Sequence, residues 1–267
     1  MNKKLYVVII AIIFLIAALV SYFNETQIEK EENENKTENN VTTTTESDKE
    51  NEKDEEEDIM DGITLNYQSS IRIEKKGMII YFDPFKITEA KNDADYVFIT
   101  HSHYDHYSEE DIKKVMNSDT NFIVTNDLES KIKKLGVSDD KITVVYPNEN
   151  HTVMDLSFEV IPAYNTDKTY HKKSYNWVGY NVNIDGVKYY VVGDSDVTDE
   201  LKKVNCDVIF IPVGGTYTMT DSEASSVVNE MKPKYAVPVH YDEVGSSANA
   251  DDFTDGLNEN IKGIILK

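Results

Sequence analysis

Three histidines and an aspartate fall within six residues in Thr100-His101-Ser102-His103-Tyr104-Asp105-His106, directly after an apolar run that ends at Ile99. Imidazole and carboxylate groups are costly to bury unless something coordinates or pairs them. This one segment takes three of the chain's six histidines. On a loop, His101 and His103 can face one point while Asp105 and His106 face a neighbouring one. That geometry suits two adjacent metal ions. The plain alternative, a polar surface loop, is disfavoured by so dense a cluster of ligand types. Two more candidates lie downstream: Asp194 follows the apolar run 187–192, and His240 ends the run 235–239. Read alone, Asp194 is equally a turn residue and His240 a satisfied strand-end histidine. His151 falls in a polar turn and reads as structural or solvent-facing. The single cysteine, Cys206, excludes an internal disulfide and reads as a small core residue.

Positioning such side chains requires strands that end at the site. Short apolar runs predict strands over 71–75, 78–82, 96–100, 122–125, 142–145 and 157–162. Ser108-Glu109-Glu110-Asp111 resembles a capping box opening a helix with Ile112, Val115 and Met116 on one face, and a second helix is expected near 128–135. Asp185-Gly186 between the runs 178–184 and 187–192 is a hairpin signal. The last third alternates strand 208–213, helix 222–231, strand 235–239, helix 251–258 and strand 261–266. Early hairpins and late β/α alternation predict an α/β fold of two sheets with helices on their outer faces. No internal repeat is visible.

His-x-His-x-Asp-His after a strand resembles the metallo-β-lactamase superfamily signature, and the resemblance runs from about residue 63 to the C-terminus. It implies an αββα sandwich. Asp83, in Tyr81-Phe82-Asp83-Pro84, resembles the family's early strand-end aspartate, which supports the histidine loop rather than binding metal. Asp194 resembles the bridging aspartate and His240 the last histidine ligand. The family supplies a further histidine on the turn where this chain reads Ile161-Pro162-Ala163-Tyr164-Asn165. Either Asn165, through its amide oxygen, or His171, from the next loop, completes the set. The segments Gly214-Gly215-Thr216-Tyr217-Thr218-Met219 and Pro238-Val239-His240-Tyr241 resemble the branch of ascorbate-phosphate lactonases and N-acyl-phosphatidylethanolamine phospholipase D. There Tyr217 is expected to line a substrate pocket, or else to pack on a tight turn. The two glycines permit close backbone approach.

The chain of 267 residues has a formal net charge of −22, and residues 25–62 hold 16 acidic against 4 basic side chains. Such a charge disfavours a nucleic-acid partner, whose phosphates are met by Lys and Arg. Residues 24–62 read as a disordered acidic linker with N-glycosylation patterns at Asn24, Asn35 and Asn40. Lys3 and Lys4 precede an apolar run over 5–20. It reads as an uncleaved signal anchor over 1–23, with a cleaved signal peptide or a buried helix as alternatives. The expected organisation is therefore a transmembrane helix, the linker and a hydrolase domain over 63–267 outside the cytoplasm.

The expected function is hydrolysis of an ester-type bond in a phosphodiester, lactone or lipid head group by a metal-bound hydroxide. Asp105 and Asp194 are the candidates for proton transfer, and the substrate is a small or lipid-like molecule. The thiol-free, imidazole-rich set suits two Zn²⁺ ions, and its carboxylates also admit Mn²⁺ or Fe. The competing class is a non-catalytic extracytoplasmic module that binds metal or ligand on a degenerate hydrolase fold, motivated by Asn165.

Overall fold

The structure is a computed structural model that describes residues 59–241 and 249–266. Runs without polar interruption become strands buried on both faces, as in β4 (Tyr96–Ile99), β11 (Val208–Pro212) and β12 (Tyr235–Val239). Alternating runs become half-covered strands, as in β8 (Leu156–Pro162). The first sheet runs β1 (Ile63–Tyr67), β2 (Ser70–Lys75), β3 (Met78–Phe82), β4, β5 (Asn121–Thr125), β6 (Ile142–Val145) in spatial order. The second runs β13 (Lys262–Gly263), β12, β11, β10 (Val187–Val191), β9 (Val178–Ile184), β8, β7 (Asn150–Val153). Each sheet starts as an antiparallel meander and turns parallel, from β3–β4 onward in the first and from β10–β11 onward in the second.

Three apolar clusters separate four layers. Between the sheets lie Ile73, Phe82, Phe98, Phe158, Tyr180 and Phe210. Outside the first sheet, Val97, Phe122 and Val124 pack with Ile112 and Val115 of α1 (Glu109–Val115) and Ile132 of α2 (Glu129–Lys134). Outside the second, Ile209, Ile211 and Ala236 pack with Val227 and Val228 of α3 (Asp221–Met231) and Phe253 of α4 (Ala250–Asp255). The hairpin at Asp185-Gly186 has positive φ at both residues (52° and 87°), as a type I′ turn requires.

Several expectations change. A compact unit spans Ile59–Lys267. Ile59 and Met60 pack against the inter-sheet core, and the Tyr189 hydroxyl donates to the Ile59 carbonyl at 2.9 Å. β1 and β7 were not read from the sequence, and His151 lies in β7 rather than a turn, stacked on Phe158 and bonded to Glu149. Ser108 caps α1, but the Asp111 side chain turns away from the cap backbone toward Lys86 and Ile87. β13 keeps two residues of the strand expected over 261–266.

The single-pass anchor is also corrected. Among the described residues no helix is long and apolar enough to cross a membrane. Residues 1–23, on which the anchor rested, and the linker to 58 with its glycosylation patterns lie outside the described residues.

Candidate metal centre

Every side chain of the candidate site stands at or beyond the C-terminal end of a strand. Asp83 follows β3, β4 feeds the loop holding His101, His103, Asp105 and His106, and β10 leads to Asp194. His240 follows β12, and His171 lies between β8 and β9. The chain bends sharply at these exits. Asp83, Gly193 and His240 all have positive φ (44°, 69° and 56°), a region that non-glycine residues occupy at some cost, typically near functional sites.

Two groups of potential ligands result: His101, His103, His171 and Asp194, and then Asp105, His106 and His240. Asp194 touches both. Its Oδ2 lies 3.8 Å from His101 Nε2, 3.3 Å from His171 Nε2 and 3.1 Å from His240 Nε2, while Oδ1 lies 3.3 Å from His106 Nε2. Asp105 Oδ2 is 3.3 Å from His240 Nε2 and 3.6 Å from His106 Nε2. His103 Nδ1 comes within 3.2 Å of His101 Nε2.

The far nitrogens are fixed by a second ring of acceptors. Asp83 receives the Thr100 N–H at 2.8 Å, the Thr100 hydroxyl at 2.7 Å and His106 Nδ1–H at 2.7 Å. Because Thr100 Oγ1 spends its proton on Asp83, it accepts from His101 Nδ1–H at 2.9 Å. Asn165 Oδ1 accepts from His171 Nδ1–H at 3.1 Å. In each ring the tautomer so imposed leaves an Nε2 lone pair facing the centre.

Buried His106 Nε2, His171 Nε2 and Asp194 Oδ1 have no hydrogen-bond partner. Orphaned atoms of ligand type converging on one place fit divalent metal ions, since leaving them unsatisfied is otherwise costly. Protonation tells the same story. Burial and the neighbouring His106 hold His101 well below the ordinary imidazole range, and burial with His171 lowers His103. Against burial, Asp194 and Asp83 raise His106 well above it, and Asp194 and Asp105 raise His240 to about 10. Burial alone would raise Asp194, but His106 and His240 hold it well below the carboxylate range. Without metal the carboxylates keep protons on two rings, in the place where a cation would sit.

The structure brings His101, His103, Asp105, His106, Asp194 and His240 together, with Asp83 behind His106. For the open position it separates the candidates. His171 brings Nε2 to Asp194. Asn165 stands behind it, its amide oxygen accepting the His171 N–H at 3.0 Å as well as Nδ1–H, and its Nδ2 donating to the Tyr217 carbonyl at 3.0 Å. The Asn165 oxygen is thus engaged by His171, and His171 is the one of the two whose ring faces Asp194.

Tyr217 lines a cleft of about 570 Å³ above the centre, with Tyr67, Phe85, Lys86, Tyr104 and Tyr170. Gly214 permits the approach of the turn behind it, since a Cβ there would stand 2.7 Å from the His240 carbonyl oxygen. Trp177 escaped the sequence reading. Its ring packs 4.8 Å from His101 and 4.7 Å from His103, with Nε1 donating to Asp127 at 3.1 Å. Only its being the chain's single tryptophan, close after His171, could have drawn attention to it.

Two sheets enclosed by helices, with a His/Asp centre at their strand ends, define a metallohydrolase-type α/β protein. The chain belongs to the beta-lactamase superfamily domain family, which residues 62–240 match. It is 27% identical over 182 residues to the UPF0173 metal-dependent hydrolase of Thermococcus onnurineus, covering 66% of this chain and 80% of that protein. A solved structure from Parabacteroides distasonis, described as a metal-dependent hydrolase, is 30% identical with a TM-score of 0.64, covering 77% of this chain and 93% of that one. Igni18, a metallo hydrolase from Ignicoccus hospitalis, shares the fold at 21% identity and a TM-score of 0.64, covering 77% and 94%. The chain is a metal-dependent hydrolase of the metallo-β-lactamase superfamily. Neither the described residues nor these relatives support the membrane localisation expected from the N-terminus.

Proposed function

We propose that the chain hydrolyses an ester-type bond, in a phosphodiester, a lactone or a lipid head group, using two divalent ions. The observation that carries this reading is the position of Asp194, whose two oxygens face four imidazole nitrogens drawn from both groups. His101, His103 and His171 would hold one ion, Asp105, His106 and His240 the other, with Asp194 shared. The donor set suits Zn²⁺ and also admits Mn²⁺ or Fe. When bound, the ions would supply Lewis-acid polarisation of the scissile group and acidification of water.

The chain's own residues do the rest. Asp83, Thr100 and Asn165 hold the rings in the ligating tautomer. Trp177 packs against His101 and His103 on one side of the first group. Asp105 and Asp194, which both line the cleft, are the candidates for proton transfer to a leaving group. Tyr217 contributes to the cleft wall that receives the substrate.

Metal content of the purified full-length chain tests this. Wild type is expected to carry about two equivalents, His171→Ala about one, and Asn165→Ala to lose occupancy about 10- to 100-fold more readily on dilution. Well below one equivalent after supplementation, with no turnover across phosphodiester, lactone and ester substrates, would replace the enzyme by a non-catalytic binding module.

A further inference from the structure

Among the described residues lining the cleft, Lys86 is the one that carries an ammonium or guanidinium group. The fold goes to some length to place it. Lys86 has a left-handed backbone, φ 51°, which is disfavoured for a residue bearing a side chain. Buried Asp111 pins it there, accepting the Lys86 N–H on Oδ2 and the Ile87 N–H on Oδ1, each at 3.0 Å. Ser108 and Lys114 donate to the same carboxylate at 2.7 and 2.9 Å, and Lys114 also donates to the Ile87 carbonyl at 3.0 Å. One residue earlier, the Phe85 N–H donates to Ser70 Oγ at 3.0 Å. A helix start and a strand are therefore both fastened to a turn whose outward-facing side chains are Phe85 and Lys86.

The Lys86 Nζ lies 3.6 Å from the centre of the Tyr67 ring and 5.6 Å from that of Phe85. An aromatic face steadies an ammonium without neutralising it and takes none of its hydrogen-bond donors in the conventional sense. No ion pair to Lys86 forms among the described residues, although the chain has 49 acidic side chains against 27 basic ones. Tyr170 and Tyr217, edge to face at 4.7 Å and 47% and 41% exposed, add a second aromatic pair to the same cleft. Aromatic walls that remain open to solvent suit a flat or apolar body, and an unneutralised ammonium beside them suits an oxyanion.

We infer that Lys86 is the anion-recognition residue of this cleft, and that the substrate carries a carboxylate or phosphate group on a flat or apolar body. This rests on the hydrolase reading for the position of the scissile bond, but not for the recognition itself. The turn 85–87 sets the distance between anion and centre, so Lys86 selects substrates and does not take part in bond cleavage.

The test compares wild type, Lys86→Met and Lys86→Arg as full-length, metal-loaded chains. Binding of 4-phenylbutyrate, phenylphosphonate and neutral 4-phenylbutanol is titrated calorimetrically, and metal content is measured on the same samples. Wild type is expected to prefer the anions. Lys86→Met should weaken them about tenfold while moving the alcohol less than twofold, and Lys86→Arg should keep the preference. The larger loss of the two anions identifies the oxyanion. Anion preference unchanged in Lys86→Met would assign it to the centre alone, and equal loss of all three probes would reduce Lys86 to a structural role. Either overturns the inference. Because no turnover is read, an inactive but Lys86-dependent binder would sink the hydrolase reading only.

Discussion

His240 shows what a single residue contributes and what it costs. Its Nε2 stands 3.3 Å from Asp105 and 3.1 Å from Asp194, and those carboxylates outweigh burial to raise its pKa to about 10. A group whose folded pKa exceeds its unfolded value binds more protons when folded. Its contribution is therefore complete below the unfolded value near 6.5 and is lost as pH rises toward 10. The metal-free chain should thus lose stability across that window, whereas the metal-loaded chain, with the cation in the proton's place, should not. Urea midpoints of chelated and loaded protein between pH 6 and pH 10 check this. The same exchange means that metal uptake releases protons and strengthens as pH rises. Calorimetry in buffers of different ionisation enthalpy should register that release, and no release would mean that the rings are already neutral.

At the scale of elements, the ends of strands carry the information. β12 contains Pro238, which cannot donate to a ladder. Ala236, two residues earlier, accepts from Ile264 N–H on the β13 side, and β13 pairs no further than Gly263. Pro238 therefore falls where no strand remains on the β13 side, while β11 still flanks it on the other at Ile211, two residues before the bend at His240. The other pinch is Gly179 in β9, where a Cβ would stand 2.6 Å from the Val192 carbonyl oxygen and 2.7 Å from that of Val191. These are backbone atoms of the segment leading to Asp194, so they cannot yield without moving the ligand. Gly179→Ala is expected to cost about 1–3 kcal/mol and to weaken metal retention. A lowered urea midpoint at unchanged m-value checks the first effect. Full metal retention would show that the strand shifts without displacing Asp194.

For the molecule as a whole, the centre exists because two sheets meet in one register. The first sheet supplies Asp83 and the loop from His101 to His106, the second supplies His171, Asp194 and His240. Phe98 joins them, stacked on Phe82 of its own sheet at 5.0 Å and edge to face with Phe158 and Tyr180 of the other at 5.1 and 5.0 Å. The Tyr180 hydroxyl reaches across to donate to the Ile99 carbonyl at 2.9 Å, two residues before His101. Phe98→Ala should cost about 3–5 kcal/mol, and the metal-loaded chain should resist the loss better than the chelated one, because metal binds only the folded form. Thermal unfolding of both forms measures it.

The candidate ligands that sit in one short window, His101, His103, Asp105 and His106, were legible because a strand followed by a tight loop needs no distant partner to bring them together. Asp194 and His240 were legible through their position at the ends of apolar runs and through family resemblance. The strands of both sheets could be read from their apolar runs, apart from β1 and β7, whose alternation is half polar. Tertiary structure alone placed His171 facing Asp194 with Asn165 behind it, because that arrangement depends on how the β8–β9 loop folds back over Asp194. It also decided that Asp111 ties the Lys86 turn to the start of its own helix, and that Trp177 backs the histidines. These are contacts between segments far apart in the chain, set by packing two sheets face to face, and no local pattern of residue types encodes them.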